Sequence, residues 1–225
     1  MDIGGNKMKP PLNPVSSNDF QTPPYALLPL LKYLKKEWTI WECAEGKGNI
    51  TQELFSLGYN VIGSDVVERK VTFKRNLKEI GKNPSETNNI SESYSGKDFL
   101  KWQPSKLKES NLFPNQMTDY DCIITNPPYS LKQQFLKRCY ELGKPFALLL
   151  PLTTFETGKR QELFKKYGLE VIMFDKRINF ETPSGKGSGS WFATAWFTNG
   201  LNLEKELYFV KLDECKNNKD KWRKY

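Results

Sequence analysis

Histidine is absent from the 225 residues of this chain. Without it there is no Ser-His or Cys-His nucleophilic pair and no imidazole to ligate a metal, so two of the commonest designs for hydrolytic and zinc chemistry are excluded. Cysteine is scarce as well: Cys43, Cys122, Cys139 and Cys215 lie far apart with no Cys-x-x-Cys pair. Cys43 and Cys122 sit in strand-like apolar runs, as buried free thiols do, so neither a disulfide framework nor a structural zinc is expected and a reducing compartment is. No run approaches the ~18 apolar residues of a membrane span. Residues 1–20 are polar and lack the apolar core of a signal peptide. The expectation is a soluble, cytoplasmic protein without a metal site.

Apolar residues make up only 38% of the chain, which suggests an α/β body carrying long polar loops rather than an all-apolar core with short turns. The length suits one domain with a small appendage. The net charge of +8 favours a polyanionic partner, although basicity alone discriminates weakly.

Strand-like runs recur at Thr39–Cys43, Asn60–Asp65, Asp121–Thr125, Pro145–Leu150, Glu170–Phe174 and Trp191–Phe197. Helical patterns over Asn49–Leu57, Leu131–Leu142 and Glu156–Tyr167 fall between them, each followed by a glycine. This alternation predicts a largely parallel sheet covered on both faces. An earlier helix is expected over Pro24–Lys36, with Leu27, Leu28, Leu31 and Leu34 facing the core. Residues 69–96 and 101–118 are dense in Lys, Asn, Ser, Glu and Pro and read as long loops. The stretch Lys216–Tyr225 holds five Lys or Arg against one Asp, with Trp222 and Tyr225 interleaved; it is either a solvated terminus or a nucleic-acid contact.

Chemistry concentrates at three strand ends. The first strand runs into Glu42-Cys43-Ala44-Glu45-Gly46-Lys47-Gly48-Asn49, where the glycines allow either a tight turn or close approach of a ligand at a helix N-terminus. Position 51 is Thr, so the third glycine of a dinucleotide fingerprint is missing. The second strand ends at Asp65, which can cap a loop or accept hydrogen bonds from both ribose hydroxyls of an adenosine group. The third ends in Thr125-Asn126-Pro127-Pro128-Tyr129-Ser130. Proline cannot donate to a ladder, and the residue before a proline is held extended, so this is a stiff arm beyond the last paired residue. Its Asn126 side-chain oxygen and Pro127 carbonyl can each accept a hydrogen bond from one planar amino group, and Tyr129 can stack on a flat base. An amino group so held could attack an electrophilic methyl without a general base, the rate coming from positioning and electrostatics.

At these residues the sequence resembles the class I S-adenosylmethionine-dependent amino-methyltransferases, specifically the adenine-specific DNA methyltransferase branch with the Asn-Pro-Pro-Tyr motif. The resemblance runs from about Phe20 to Phe197. Phe20-Gln21-Thr22-Pro23 looks like the opening aromatic-x-Thr-Pro motif, which implies that Thr22 and Pro23 hold the methionine part of the cofactor. Glu42 to Gly48 is similar to the first cofactor motif, implying contacts from Glu42, Ala44, Gly46 and Gly48; Cys43 stands where the family usually has proline. Asp65 matches the ribose acid, with Val66 beside it against the adenine. Asp98-Phe99-Leu100 resembles the third cofactor motif, whose aspartate meets the cofactor's adenine. Asn126, Pro127, Pro128 and Tyr129 match the catalytic motif, and Asn126 also borders the cofactor.

The resemblance implies a Rossmann-like α/β fold with a mostly parallel seven-stranded sheet whose last strand, Trp191–Phe197, is antiparallel. It also implies a methyltransferase domain over 20–212, between a flexible segment 1–19 and a basic tail 213–225. Phe180 could be a second aromatic that sandwiches the target base against Tyr129, or a core phenylalanine. Lys186, in the Gly/Ser run Pro183–Ser190, is available to a phosphate. Restriction-type relatives usually carry a large target-recognition domain, and the short stretch after Phe197 cannot supply one. Recognition is therefore expected from the two long loops, the tail or a protein partner. The implied activity is methylation of the 6-amino group of adenine in DNA, with the base flipped from the duplex. Amino groups of tRNA or rRNA, a protein glutamine amide, and a non-catalytic nucleic-acid binder retaining the fold remain as alternatives.

Overall fold

A computed structural model describes residues 20–68, 71, 91–104, 119–181 and 192–217. The N-terminal segment, most of the two expected loops, Lys186 with its Gly/Ser run, and the tail after 217 lie outside the described residues.

Eight strands form one sheet: β1 (Thr39–Glu42), β2 (Asn60–Ser64), β3 (Ser91–Tyr94), β4 (Cys122–Thr125), β5 (Phe146–Pro151), β6 (Glu170–Phe174), β7 (Thr194–Asn199) and β8 (Leu207–Val210). They run in the order β3-β2-β1-β4-β5-β7-β6-β8. All neighbours are parallel except β7, which is antiparallel to both β5 and β6. Helices α1 (Asn49–Ser56), α2 (Lys132–Leu142), α3 (Gly158–Tyr167) and α4 (Leu212–Asn217) follow β1, β4, β5 and β8. This is a Rossmann-like α/β fold with a mostly parallel sheet.

The central strands are buried on both faces, which is why β4 reads Cys-Ile-Ile-Thr without alternation. Two apolar clusters flank the sheet. One gathers Ile40, Val61, Ile124 and Trp196 under the N-terminal leucines; the other gathers Trp41, Ile123, Phe135 and Phe197 under α2 and α3. Trp41 shows how the second cluster is organised: its ring packs 4.9 Å from Tyr120 and 5.2 Å from Phe99, and its indole N–H donates to Ser64 Oγ at 2.8 Å. All four cysteines are free and buried. No helix among the described residues is long and apolar enough to cross a membrane.

Three expectations are corrected. The sheet has eight strands rather than seven, and the antiparallel strand is not the last, because β8 follows it and pairs parallel with β6. The stretch 69–96 is not wholly loop: Ser91–Tyr94 pairs with β2 as β3. Its polar residues carry no strand signal, so pairing with a neighbour decides its state. The expected helix Pro24–Lys36 is two short 3-10 helices, Pro24–Ala26 and Leu28–Tyr33. Pro29 lacks the N–H that an α-helix would bond four residues back to Tyr25, which disfavours one continuous α-helix across it. Helix α4 buries Leu212 and Cys215.

Topology places the site. From β1 the chain builds outward through β2 and β3, then returns to build the other way from β4. The strand order reverses between β1 and β4, and the crevice at their carboxyl ends is where an open α/β sheet binds ligands.

Candidate functional site

Glu42 is the last residue of β1 and is 1% exposed. Its Oε1 accepts the Ala44 N–H at 3.0 Å, while Oε2 is buried without a hydrogen-bond partner. Burial is the main reason its carboxyl is pushed up to about 8, against the Thr125 hydroxyl and the Ala44 N–H; the Glu45 and Asp65 carboxylates act in the same direction as burial. The loop that follows needs its glycines. Gly46 and Gly48 have φ of +57° and +84°, the left-handed region that side chains avoid. A Cβ at Gly46 would also lie 2.9 Å from the Gln21 amide.

Asp65, just past β2, fixes this loop. Its Oδ2 accepts the Gly46 N–H and its Oδ1 the Val67 N–H, both at 2.8 Å. Each carboxylate oxygen retains a second acceptor position. The residues Gln21, Lys47 and Glu181 are tied together from three parts of the chain. Gln21 Oε1 accepts the Lys47 N–H at 2.9 Å, and the Gln21 and Glu181 backbones exchange hydrogen bonds at 3.0 and 3.1 Å.

The arm after β4 is extended, as two successive prolines require, with Pro127 buried and Pro128 at φ −59° and ψ 121°. Asn126 Nδ2 donates to the Phe20 carbonyl at 3.1 Å, so its Oδ1 faces away from that bond; Oδ1 is buried and has no partner. The Tyr129 ring sits in a cluster with Phe20 and Phe192. Burial pushes its phenol far above the usual tyrosine range, so it is no proton acceptor near neutral pH. Phe180 is 2% exposed and packs against Phe20 and Phe192, which is the core position of the two foreseen for it.

These elements enclose a cavity of about 410 Å³, within the usual range for small-molecule sites. Thr22, Glu42, Ala44, Gly46, Asp65, Val66, Asp98, Phe99, Asn126 and Pro128 line it. The other expected site residues that are described lie outside the lining. Gly48 is the N-cap of α1, where a Cβ would meet Val71 at 2.7 Å; Pro23 caps the first 3-10 helix; Pro127 is buried beneath the arm; and Tyr129 borders the aromatic cluster.

Sequence reasoning gave no role to Glu45, Gln21, Val67, Phe135 or Phe192. Glu45 adjoins Gly46 in the motif, and that adjacency was its signal. It is 5% exposed, accepts the Ser93 hydroxyl, and has its carboxyl raised chiefly by burial. It also explains Gly63: a Cβ there would lie 2.1 Å from Glu45 Oε1. G63A should therefore displace a buried, hydrogen-bonded carboxylate and destabilise the fold by about 1–3 kcal/mol. Urea unfolding of G63A beside wild type checks this.

The lining holds four acidic side chains, Glu42, Glu45, Asp65 and Asp98, and among its described residues no Lys or Arg. Such a lining suits a ligand that is cationic or neutral. Phosphate groups would be repelled.

No protein-family model matches the chain, and no curated protein matches it. In structure, 136 solved chains match. The 23S rRNA methyltransferase ErmE aligns at a TM-score of 0.46 and 16% identity, over 77% of this chain and 66% of that one. TYW2 of P. horikoshii, in complex with MeSAdo, aligns at 0.40 and 14%, over 77% and 60%. A TehB-like SAM-dependent methyltransferase from Corynebacterium glutamicum aligns at 0.41 and 14%, over 78% and 86%. The chain thus spans less than two thirds of the length of the first two.

Proposed function

We propose that the protein is an S-adenosylmethionine-dependent methyltransferase acting on the exocyclic 6-amino group of adenine in DNA. The observation that carries this reading is Asn126 Oδ1, a buried acceptor without a partner at the switch point of the sheet, oriented by the Phe20 carbonyl. A neutral acceptor fixed in that way suits an –NH₂ donor.

The cavity fits the cofactor by its chemistry. S-adenosylmethionine carries a sulfonium and an ammonium, and the lining offers acidic side chains and, among the described residues, no Lys or Arg. Asp65 would hold the ribose hydroxyls with its two remaining acceptor positions. The orphaned Thr22 Oγ1 and Glu42 Oε2 would take the methionine end, while Val66, 64% exposed at the rim, and Asp98 would receive the adenine. Once bound, the cofactor supplies an electrophilic methyl group. The protein's own residues do the rest. Asn126 Oδ1 and the Pro127 carbonyl accept the two amino hydrogens, drawing the nitrogen toward tetrahedral geometry and freeing its lone pair. Tyr129 presents a face for stacking. A base in duplex DNA must leave the stack to reach this arm, and the chain's net charge of +8 favours the phosphate backbone.

The test begins with calorimetry of S-adenosylmethionine on the full chain, for which micromolar to submillimolar binding is expected and absence of binding overturns the reading. Labelled cofactor is then incubated with duplex DNA, single-stranded DNA, tRNA and ribosomal RNA, and the products digested to nucleosides. 6-Methyladenine in DNA is the expected product. Label confined to RNA moves the substrate, and a methylated base other than adenine overturns the chemistry.

A further inference from the structure

Phe20 is hydrogen-bonded through its carbonyl to the arm, and its ring lies against Tyr129, where a substrate base would be expected. The Phe20 and Tyr129 rings stack with centroids 6.2 Å apart and planes 26° from parallel. Phe192 meets Tyr129 edge-on at 5.4 Å and 85°, and Phe20 also touches Phe180 at 5.7 Å. A flat base stacked on Tyr129 would adopt a near-parallel arrangement of the same kind.

The backbone is pinned immediately after this ring. The Phe20 carbonyl accepts the Asn126 amide N–H, and Gln21 is bridged to Glu181. The Phe20 side chain, by contrast, is only partly buried and can turn about its own χ1 without breaking those bonds. Because the Phe20 carbonyl also orients Asn126, the residue that holds the amide in place carries the ring that covers the neighbouring tyrosine.

We infer that Phe20 is a place-holder for the target base: its ring covers Tyr129 in the absence of substrate, and base entry exchanges one stacked ring for another. The inference rests on Tyr129 being the stacking face of the proposed function. It has a quantitative consequence. Every base must displace the same Phe20–Tyr129 contact, so that contact lowers the affinity of all bases by one common factor, roughly 2- to 12-fold for an aromatic pair.

The experiment uses the full chain saturated with S-adenosylhomocysteine, whose own binding is measured first by calorimetry. Two fluorescent nucleosides, 2-aminopurine riboside and pyrrolocytidine, are titrated into wild type, F20L, F20A and F20A/Y129A, with thermal melts confirming that each variant is folded. F20A should bind both probes roughly 2- to 12-fold more tightly than wild type and by the same factor, F20L by less, and the gain should vanish in F20A/Y129A. Equal or weaker binding to F20A, a gain for one probe only, or a gain that survives loss of Tyr129 overturns the place-holder. Failure of the homocysteine product to bind overturns instead the proposed function beneath it.

Discussion

Replacing Asn126 with alanine is expected to lower single-turnover methyl transfer by on the order of 10²-fold or more, the usual cost of removing one pre-oriented hydrogen-bond partner of a transition state. Of the two acceptors on the arm, the Pro127 carbonyl is backbone and stays in place; Asn126 Oδ1 alone can be deleted. It is buried and unpartnered, so in the absence of substrate the fold gains nothing from it, and its loss should appear in the rate. The amide's other end does contribute to the fold, donating to the Phe20 carbonyl. That bond is worth about 1 kcal/mol net, a shift of a few degrees in Tm. N126A should therefore melt close to wild type while its rate collapses. N126D keeps an acceptor at the same position and should lose less. A rate for N126A within threefold of wild type, on adenine-containing DNA and at saturating cofactor, would remove Asn126 from the chemistry.

What could be read from the sequence, and what could not, divides along physical lines. Where a side chain dictates its own backbone, the reading held at residue level. The prolines after Thr125 had to lie beyond the strand, and β4 ends at Thr125. The glycines at 46 and 48 allowed the left-handed turn that the loop takes. Pro29 carried an equally local signal, and giving more weight to leucine spacing than to its missing N–H produced one long helix where two short 3-10 helices stand. Where state depends on a partner, sequence was silent. Ser-Glu-Ser-Tyr becomes β3 because β2 offers it a ladder, and β8 exists as an edge strand with Leu207 and Phe209 exposed. The motifs brought the cavity's acids within reach of sequence reasoning. The contacts among Phe20, Tyr129 and Phe192, and the hold of Gln21 on the glycine loop, come from residues far apart in the chain. Long-range packing creates them, and no local pattern announces it.

Glu42 joins the fold and the site in a way that predicts opposite effects from one substitution. Its carboxyl is pushed up to about 8 by burial, against an ordinary value of 4.5. Between those two values the folded protein holds a proton that the unfolded chain has released. Stability therefore falls as pH rises from about 4.5 toward 8 and levels off above it. E42Q retains an acceptor for the Ala44 N–H and has no charge to bury. It should be more stable than wild type by on the order of 1–3 kcal/mol at pH 8, with the difference shrinking toward pH 5; urea titrations at several pH values measure this directly. Glu45, raised in the same direction, leaves a residual slope in the variant. The cofactor reverses the balance. A cationic ligand favours the ionised carboxylate, so its binding below pH 8 must expel the Glu42 proton, and affinity should rise with pH up to about 8 and then flatten. Calorimetry at pH 7 in buffers of different ionisation enthalpy should register close to one proton released by wild type and none from this group in E42Q. Loss of the charge should also weaken cofactor binding by about 10-fold or more, the difference expected of a charge-assisted contact. A variant that gains stability while keeping wild-type cofactor affinity and proton release would show that the buried carboxyl belongs to the fold alone.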